Sequence, residues 1–403
     1  MLSRRQLLAS TAGFAGYSAF GPAAAAEALK LEPALPDGLK AGAVLDALPG
    51  KKPLLKLSFR PPNYETPLNY FDSVFTPNDA FFVRYHLSDI PEIDAAKWKL
   101  TIQGGATPVS VSLDDLKKMP AVEIAAVCQC SGNRRGLFQP HVPGVQWGYG
   151  AMGNARWKGV RLKDLLEKAG VRKEAVELVI NGADGPVIDK TPDFVKSLPM
   201  SKALDENVLI AYEMNGAPLP HWNGFPARLV VPGWTATYWM KHITELTMVD
   251  KPFEGFWMKG AYRVPLGKFP AVDRFVSQET AVNTPITEMV VNSIISSPAE
   301  GDKATAGKPL AVKGLAWDGG YGIVGVEVST DGGESWARAK LGEDTGRFSF
   351  RAFLFEIAAA KAGPLAIMVR AINKIGQTQT STLNLNPAGY HHNVMHRVTV
   401  AVA

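Results

Sequence analysis

The chain has 403 residues, two cysteines, 46% hydrophobic residues and a formal net charge of +5, or +3 once Arg4 and Arg5 are set aside. That modest charge, with no basic run interleaved with aromatics, excludes a nucleic-acid footprint. The length exceeds one typical core, so about two domains are expected, and no stretch is apolar for long enough to predict a membrane span.

Residues 1–26 read as an address. Ser3-Arg4-Arg5-Gln6-Leu7-Leu8 precedes a short apolar run and then Ala23 to Ala26, the grammar of a cleavable twin-arginine signal peptide. The expectation is a periplasmic protein. Residues 27–70, rich in Pro, Leu and Lys, read as an extended N-terminal arm. Globular organisation starts near Phe71.

Ala80-Phe81-Phe82-Val83-Arg84-Tyr85-His86 is strand-like and sets Arg84 and His86 on one face. Read alone, this pair suits a surface cation and a packed imidazole. Trp98 to Ile102 predicts a strand ended by Gly104-Gly105. Ser112 caps a short helix that stops before Pro120. Val122 to Val127 then predicts a strand that delivers Cys128-Gln129-Cys130-Ser131-Gly132-Asn133-Arg134-Arg135.

Thiols beside arginines can present a thiolate to a soft metal, and they equally fit small buried hydrophobes. A disulfide between residues i and i+2 would be strained. Zinc lacks further ligands at finger spacing. A thiol oxidoreductase is disfavoured because the spacing is not Cys-x-x-Cys.

Further on, Leu162, Leu165, Leu166 and Ala169 define a helix face ended by Gly170, and Val176 to Ile180 returns as a strand. Strands broken by short helices, without a βαβ rhythm or glycine fingerprint, predict an α+β fold: a mixed α/β domain over residues 71–288. From Met289 the pattern changes to short alternating strands, Leu310 to Trp317, Val324 to Ser329, Trp336 to Lys340 and Leu365 to Ile372, with a turn at Asp331-Gly332-Gly333. This predicts a C-terminal immunoglobulin-like β-sandwich over residues 289–403.

The motif Cys130-Ser131-Gly132-Asn133-Arg134-Arg135 resembles the Cys-Ala/Ser-Gly-Asn-Arg-Arg motif of the sulfite oxidase family of molybdenum-cofactor enzymes. The resemblance runs from about Phe81 to the C-terminus and is closest to the haem-free bacterial periplasmic sulfite dehydrogenases. It implies a molybdenum–molybdopterin cofactor held in the first domain, with Cys130 as the one protein ligand of the metal. Arg84 and His86 match a Phe-Phe-Val-Arg-Asn-His block that lines the pocket, here with Tyr85 in place of the Asn.

The same likeness assigns anion binding to Arg84 and Arg135, a hydrogen bond to substrate to Tyr262, and a pocket wall to Trp147. Arg228 and Lys241 fall on the pterin-phosphate contacts, and Asp184 on the aspartate of the preceding loop. Asn223 stands where vertebrate members carry a histidine. At a third substrate arginine of the family this chain has Ala388, and His392 and Arg397 are the candidates to replace it. The sandwich is implied as a homodimerisation domain.

The implied reaction is oxidation of sulfite to sulfate. No Cys-x-x-Cys-His haem attachment is present and two cysteines cannot hold an iron–sulfur cluster. A separate acceptor is therefore expected, a periplasmic c-type cytochrome. Alternatives are the molybdenum subunit of a sulfur-oxidation complex, another molybdopterin oxidoreductase such as a methionine sulfoxide reductase, and a non-enzymatic periplasmic binding module. The last leaves the Cys130 motif and the Arg84/His86 block unexplained.

Overall fold

A computed structural model describes residues 44–267, 278–279, 282–358 and 360–403. The expected signal peptide, residues 1–26, and the arm up to residue 43 lie outside the described residues.

The strand Ala121–Gln129 changes from half-exposed to fully buried along its length. It pairs antiparallel with Met152–Arg161 from Ala121↔Val160 to Gln129↔Met152. The sheet continues through Leu209–Met214, which also carries Arg228–Val230. Ala121–Gln129 is therefore an edge strand, whose unpaired backbone must be covered. The C-terminal domain covers it, with the Val127 N–H donating to Phe348 O at 2.9 Å.

A second sheet runs in the order Lys196–Pro199, Glu177–Gly182, Ile243–Val249, Lys99–Gln103, Val109–Ser112, with one parallel pair between Ile243–Val249 and Lys99–Gln103. The helix Leu113–Lys118 starts from a Ser112/Asp115 capping box. The helix Leu162–Ala169 buries Leu162, Leu165, Leu166 and Ala169 and ends at Gly170, whose φ of +74° suits a residue without Cβ. Strand outweighs helix, and no helix among the described residues exceeds these eight residues.

Two segments differ from the expected pattern. Within Ala80 to His86 only Val83–Arg84 is strand, and it joins a four-stranded sheet with Leu45–Asp46, Leu54–Ser58 and Asn63–Glu65. The described part of the arm is thus folded, because Leu54, Tyr64, Val83 and Tyr85 bury one another. The stretch Trp336 to Lys340 divides into Ala337–Arg338 and Lys340–Leu341, which pair into different sheets.

Those two sheets face each other as a β-sandwich. One holds Asn292–Ser297, Leu310–Trp317, Arg351–Ile357 and Lys340–Leu341; the other holds Lys303–Ala304, His396–Val402, Gly363–Asn373, Ile323–Ser329 and Ala337–Arg338. Ile295, Val312 and Phe353 meet Val326, Val369, Val398 and Val400 in its core. A separate apolar cluster joins the domains, with Phe71, Val127, Tyr149 and Met152 against Ile294, Leu315, Trp317 and Phe350.

Candidate active site

The edge strand ends in a tight turn. The Cys130 N–H donates to Ala151 O (2.9 Å), and Cys130 O accepts from the Asn133 N–H (3.0 Å). Arg134 follows with φ +68° and opens the short helix Arg135–Leu137. Strand alternation puts Cys128 and Cys130 on one side. Both thiols are free, buried, and line one cleft. Burial pushes the Cys128 thiol up to about 11, opposed by Arg228, whose Nη2 stands 3.9 Å from its Sγ.

One end of the cleft is cationic. Among the described residues its lining includes Arg84, Arg228 and Lys241 but only one carboxylate, Asp184. Arg228 is buried between the rings of Trp157 and Trp239, donating to Asn223 O (3.0 Å) and Trp239 O (2.9 Å), while its Nε has no partner. Lys241 donates to Arg84 O at 2.6 Å and lies against the Tyr85 ring. Burial drives the Lys241 ammonium well below its usual range and raises the Asp184 carboxyl, and the attraction between the two opposes both shifts. Tyr85 donates to His242 Nε2 (2.8 Å), because His242 Nδ1–H is committed to Phe225 O (2.6 Å). Three buried or half-buried cations against one carboxylate leave a local excess of positive charge that can take an anion.

At the other end His86 Nε2 and the Tyr262 hydroxyl form a short hydrogen bond. The His86 ring stacks on Phe194 with centroids 3.5 Å apart and planes at 12°, and Trp257 packs edge-on. Burial, then the charges of Arg84, Lys241 and Lys196, hold the imidazole well below its usual range, so it is neutral at pH 7. Burial raises the Tyr262 phenol, with Arg84 opposing. Tyr262 has φ +58°, a strained conformation for a tyrosine. Its ring is clamped by parallel stacking on Tyr390 at 5.6 Å and 8°.

Eight of the ten residues singled out in the sequence line this cleft: Arg84, His86, Cys130, Asp184, Asn223, Arg228, Lys241 and Tyr262. The Arg135 and Trp147 side chains lie behind it. Arg135 Nε donates to Ala388 O (2.8 Å) and Nη1 to Val145 O (3.2 Å), and its guanidinium lies over the Tyr390 ring. Trp147 is fully buried in the apolar cluster that includes Cys130 and Tyr262, and its Nε1 has no partner. Of the C-terminal candidates, Ala388 offers its carbonyl to Arg135, His392 packs edge-on to Phe138, and Arg397 pairs opposite Met368 on a sandwich strand; none lines the cleft.

Two supporting residues, Lys196 and Glu65, gave no sequence signal, and Arg134, though part of the cysteine motif, carried no assigned role. Lys196 is fully buried with Nζ on Trp257 O (2.5 Å), close to the Tyr238 and Tyr262 rings, and burial pushes it down to about 7. Glu65 accepts the N–H groups of Gly148 and Gly150 at 2.7 Å each, bracing the loop that leads to Ala151. Arg134 reaches into the sandwich, donating to Ser293 O (2.7 Å) and Val394 O (3.1 Å). Lys196 and Glu65 are ordinary charged residues in the sequence, and for all three only distant chain segments supply the partners.

Residues 86–257 match a family model described as an oxidoreductase molybdopterin binding domain, and residues 283–403 one described as a Mo-co oxidoreductase dimerisation domain. The chain is 33% identical over 383 residues to the mitochondrial sulfite oxidase of Drosophila melanogaster, covering 88% of this chain and 64% of that protein. It is 34% identical over 373 residues to that of Rattus norvegicus, covering 88% and 67%. The chain thus spans about two thirds of the length of these relatives. Among solved structures it is similar to the sulfane dehydrogenase SoxCD of Paracoccus pantotrophus, with a TM-score of 0.74, 27% identity and coverage of 91% and 94%. Two matched domains and a cleft built on the cysteine turn agree: the chain belongs to the sulfite oxidase family of molybdenum-cofactor enzymes.

Proposed function

We propose that this protein oxidises sulfite to sulfate at a molybdenum–molybdopterin centre and passes the electrons to an external acceptor. The observation that carries the reading is a free thiol, Cys130, facing the same cleft as three cations and a single carboxylate. The residues fit the group. Cys130 would supply a soft thiolate ligand, and Arg228, Lys241 and Asn223 would meet the phosphate, with Asp184 nearby to contact the pterin. The unpartnered, buried Arg228 Nε and Ser131 Oγ leave polar capacity for it. When bound, such a group supplies two-electron oxygen-atom transfer.

The chain's own residues do the rest. Arg84 draws in the sulfur oxyanion and binds it by charge-assisted hydrogen bonds. The Tyr262 hydroxyl, protonated at neutral pH, donates to the bound anion. His86 is neutral and fixed against Phe194, so it holds the phenol in place. Phe194 exposes little surface and excludes water from that end, which strengthens each polar contact. Arg135 orders the segment that carries Tyr390, and through it the Tyr262 ring.

Sulfite and water yield sulfate, two protons and two electrons. We assign the electrons to a periplasmic c-type cytochrome, on the Arg4-Arg5 signal. Loss of export in Arg4→Lys with Arg5→Lys is the expected result, and unchanged export refutes the location. The sandwich, immunoglobulin-like by expectation, is proposed as the contact of a homodimer, and a monomer mass by light scattering at micromolar protein refutes that.

Metal analysis of matured protein together with sulfite-dependent reduction of cytochrome c tests the function. Stoichiometric molybdenum with turnover is expected; matured protein without molybdenum overturns the reading. The likeness to a sulfane dehydrogenase favours a second reading, in which the substrate is a sulfane sulfur. Turnover of a persulfide but not of sulfite would select it.

A further inference from the structure

The arm contributes a buried cation that the reaction above does not use. Lys51 is 8% exposed, and its Nζ donates to Asn78 O (2.6 Å), Phe81 O (3.0 Å) and Asn223 Oδ1 (2.6 Å). All three acceptors are neutral, and burial pushes the ammonium down to about 7. With three acceptors around it, Nζ uses all three hydrogens of the ammonium form, which carries donors only, and the Asn223 atom that faces it is the carbonyl oxygen. The amide, whose two ends are otherwise interchangeable in shape, is therefore held in one orientation.

That orientation matters to the cleft. Asn223 lines it, with Nδ2 turned away from Lys51 and donating one hydrogen to Phe82 O at 3.2 Å. The Asn223 backbone carbonyl also accepts from Arg228 Nη1 at 3.0 Å. Lys51 thus bonds to the same residue that seats one of the cationic groups. Without Lys51 the amide can turn over and point its oxygen at whatever anion Arg228 and Lys241 hold.

We propose that Lys51 is a positioning residue that locks Asn223 as a hydrogen-bond donor to the anionic end of the cofactor. The arm, through this one side chain, then becomes part of cofactor retention. The proposal rests on the molybdopterin reading given above.

The test follows cofactor per chain, as molybdenum by metal analysis and as pterin fluorescence after denaturation, during dialysis of the purified holoprotein. The variants are Lys51→Met, Asn223→Asp and the double variant, each with a thermal melt. Asn223→Asp keeps an acceptor for Lys51 but abolishes the donor. Both single variants should lose cofactor about tenfold faster than wild type, the scale of one charge-assisted hydrogen bond. Asn223→Asp should do so with an unchanged melt, and the double variant should lose it no faster than Asn223→Asp alone.

A merely structural role for Lys51 predicts that the two losses multiply in the double variant, and that result overturns the proposal. Wild-type retention in Lys51→Met overturns it as well. Should Lys51→Met not fold, Lys51→Gln takes its place, since its amide can face Asn223 with either end: fast loss supports the lock and wild-type retention removes it. A wild type that matures without pterin overturns the cofactor reading and this proposal together. A loaded wild type with equally loaded variants overturns the Lys51 role alone.

Discussion

Tyr262→Phe separates the chemistry of the cleft from its packing. The substitution removes only the hydroxyl, so the ring keeps its parallel stack on Tyr390 at 5.6 Å, worth about 0.5–1.5 kcal/mol. In the free protein His86 Nε2 loses its partner, a neutral hydrogen bond worth about 1 kcal/mol. Against a bound anion the loss is a charge-assisted bond of about 1.5–3 kcal/mol. At about 1.4 kcal/mol per tenfold, kcat/KM for sulfite should fall roughly 10- to 150-fold. Stability should fall by only about 1 kcal/mol.

The acidity of the pair adds a second readout. His86 is held well below its usual range and Tyr262 above its own, so this pair contributes no ionisation near neutrality. The wild-type and Tyr262→Phe pH profiles should therefore run parallel between about pH 6 and 8. Steady-state sulfite oxidation with saturating cytochrome c across that range, and urea unfolding at neutral pH, are the measurements. An unchanged kcat/KM with normal folding would show that the phenol does not touch the substrate.

Cys130→Ser replaces a soft donor by a hard oxygen and should abolish sulfite oxidation, while Cys128→Ser keeps most of it; full activity in Cys130→Ser returns both thiols to a packing role. In Gly132→Ala the new Cβ would stand 2.5 Å from Arg135 Nη1, so the guanidinium must shift, which disturbs its bond to Ala388 O and its place over the Tyr390 ring. A stability loss of about 1.5–3 kcal/mol and a raised KM are expected, and a variant with wild-type melt and KM refutes the clamp. His242, His392 and His396 are each held down at about 3, against 6.5 when unfolded, by burial first. The unfolded chain therefore binds more protons, so stability present above about pH 6.5 is lost on acidification, by about 1.4 kcal/mol per pH unit for each histidine. Urea midpoints that stay flat from about pH 7 to 5 would contradict this.

The sequence by itself determined the local devices and the motifs that meet in the cleft. Ser112 with Asp115 specifies a helix start through side chain-to-backbone bonds within four residues, and Leu162, Leu165, Leu166 and Ala169 specify a buried helix face by spacing. The Cys130 turn, Arg84, His86, Arg228, Lys241 and Tyr262 were legible because their residue types and neighbours form motifs, and the cleft lining contains each of them.

Tertiary structure alone decided where buried charges find their partners, inside a motif or outside one. Lys51 reaches Asn223 across 172 positions, Arg135 reaches Ala388 across 253, and Arg134 reaches Val394 across 260. It also decided that the segment around Ala337 switches sheets, and that the sandwich caps the exposed edge of the cysteine strand. Periodicity reports which face of an element is buried, but the partner is chosen by which distant backbone lies opposite. A buried cation or an open strand edge must find acceptors wherever the folded chain provides them.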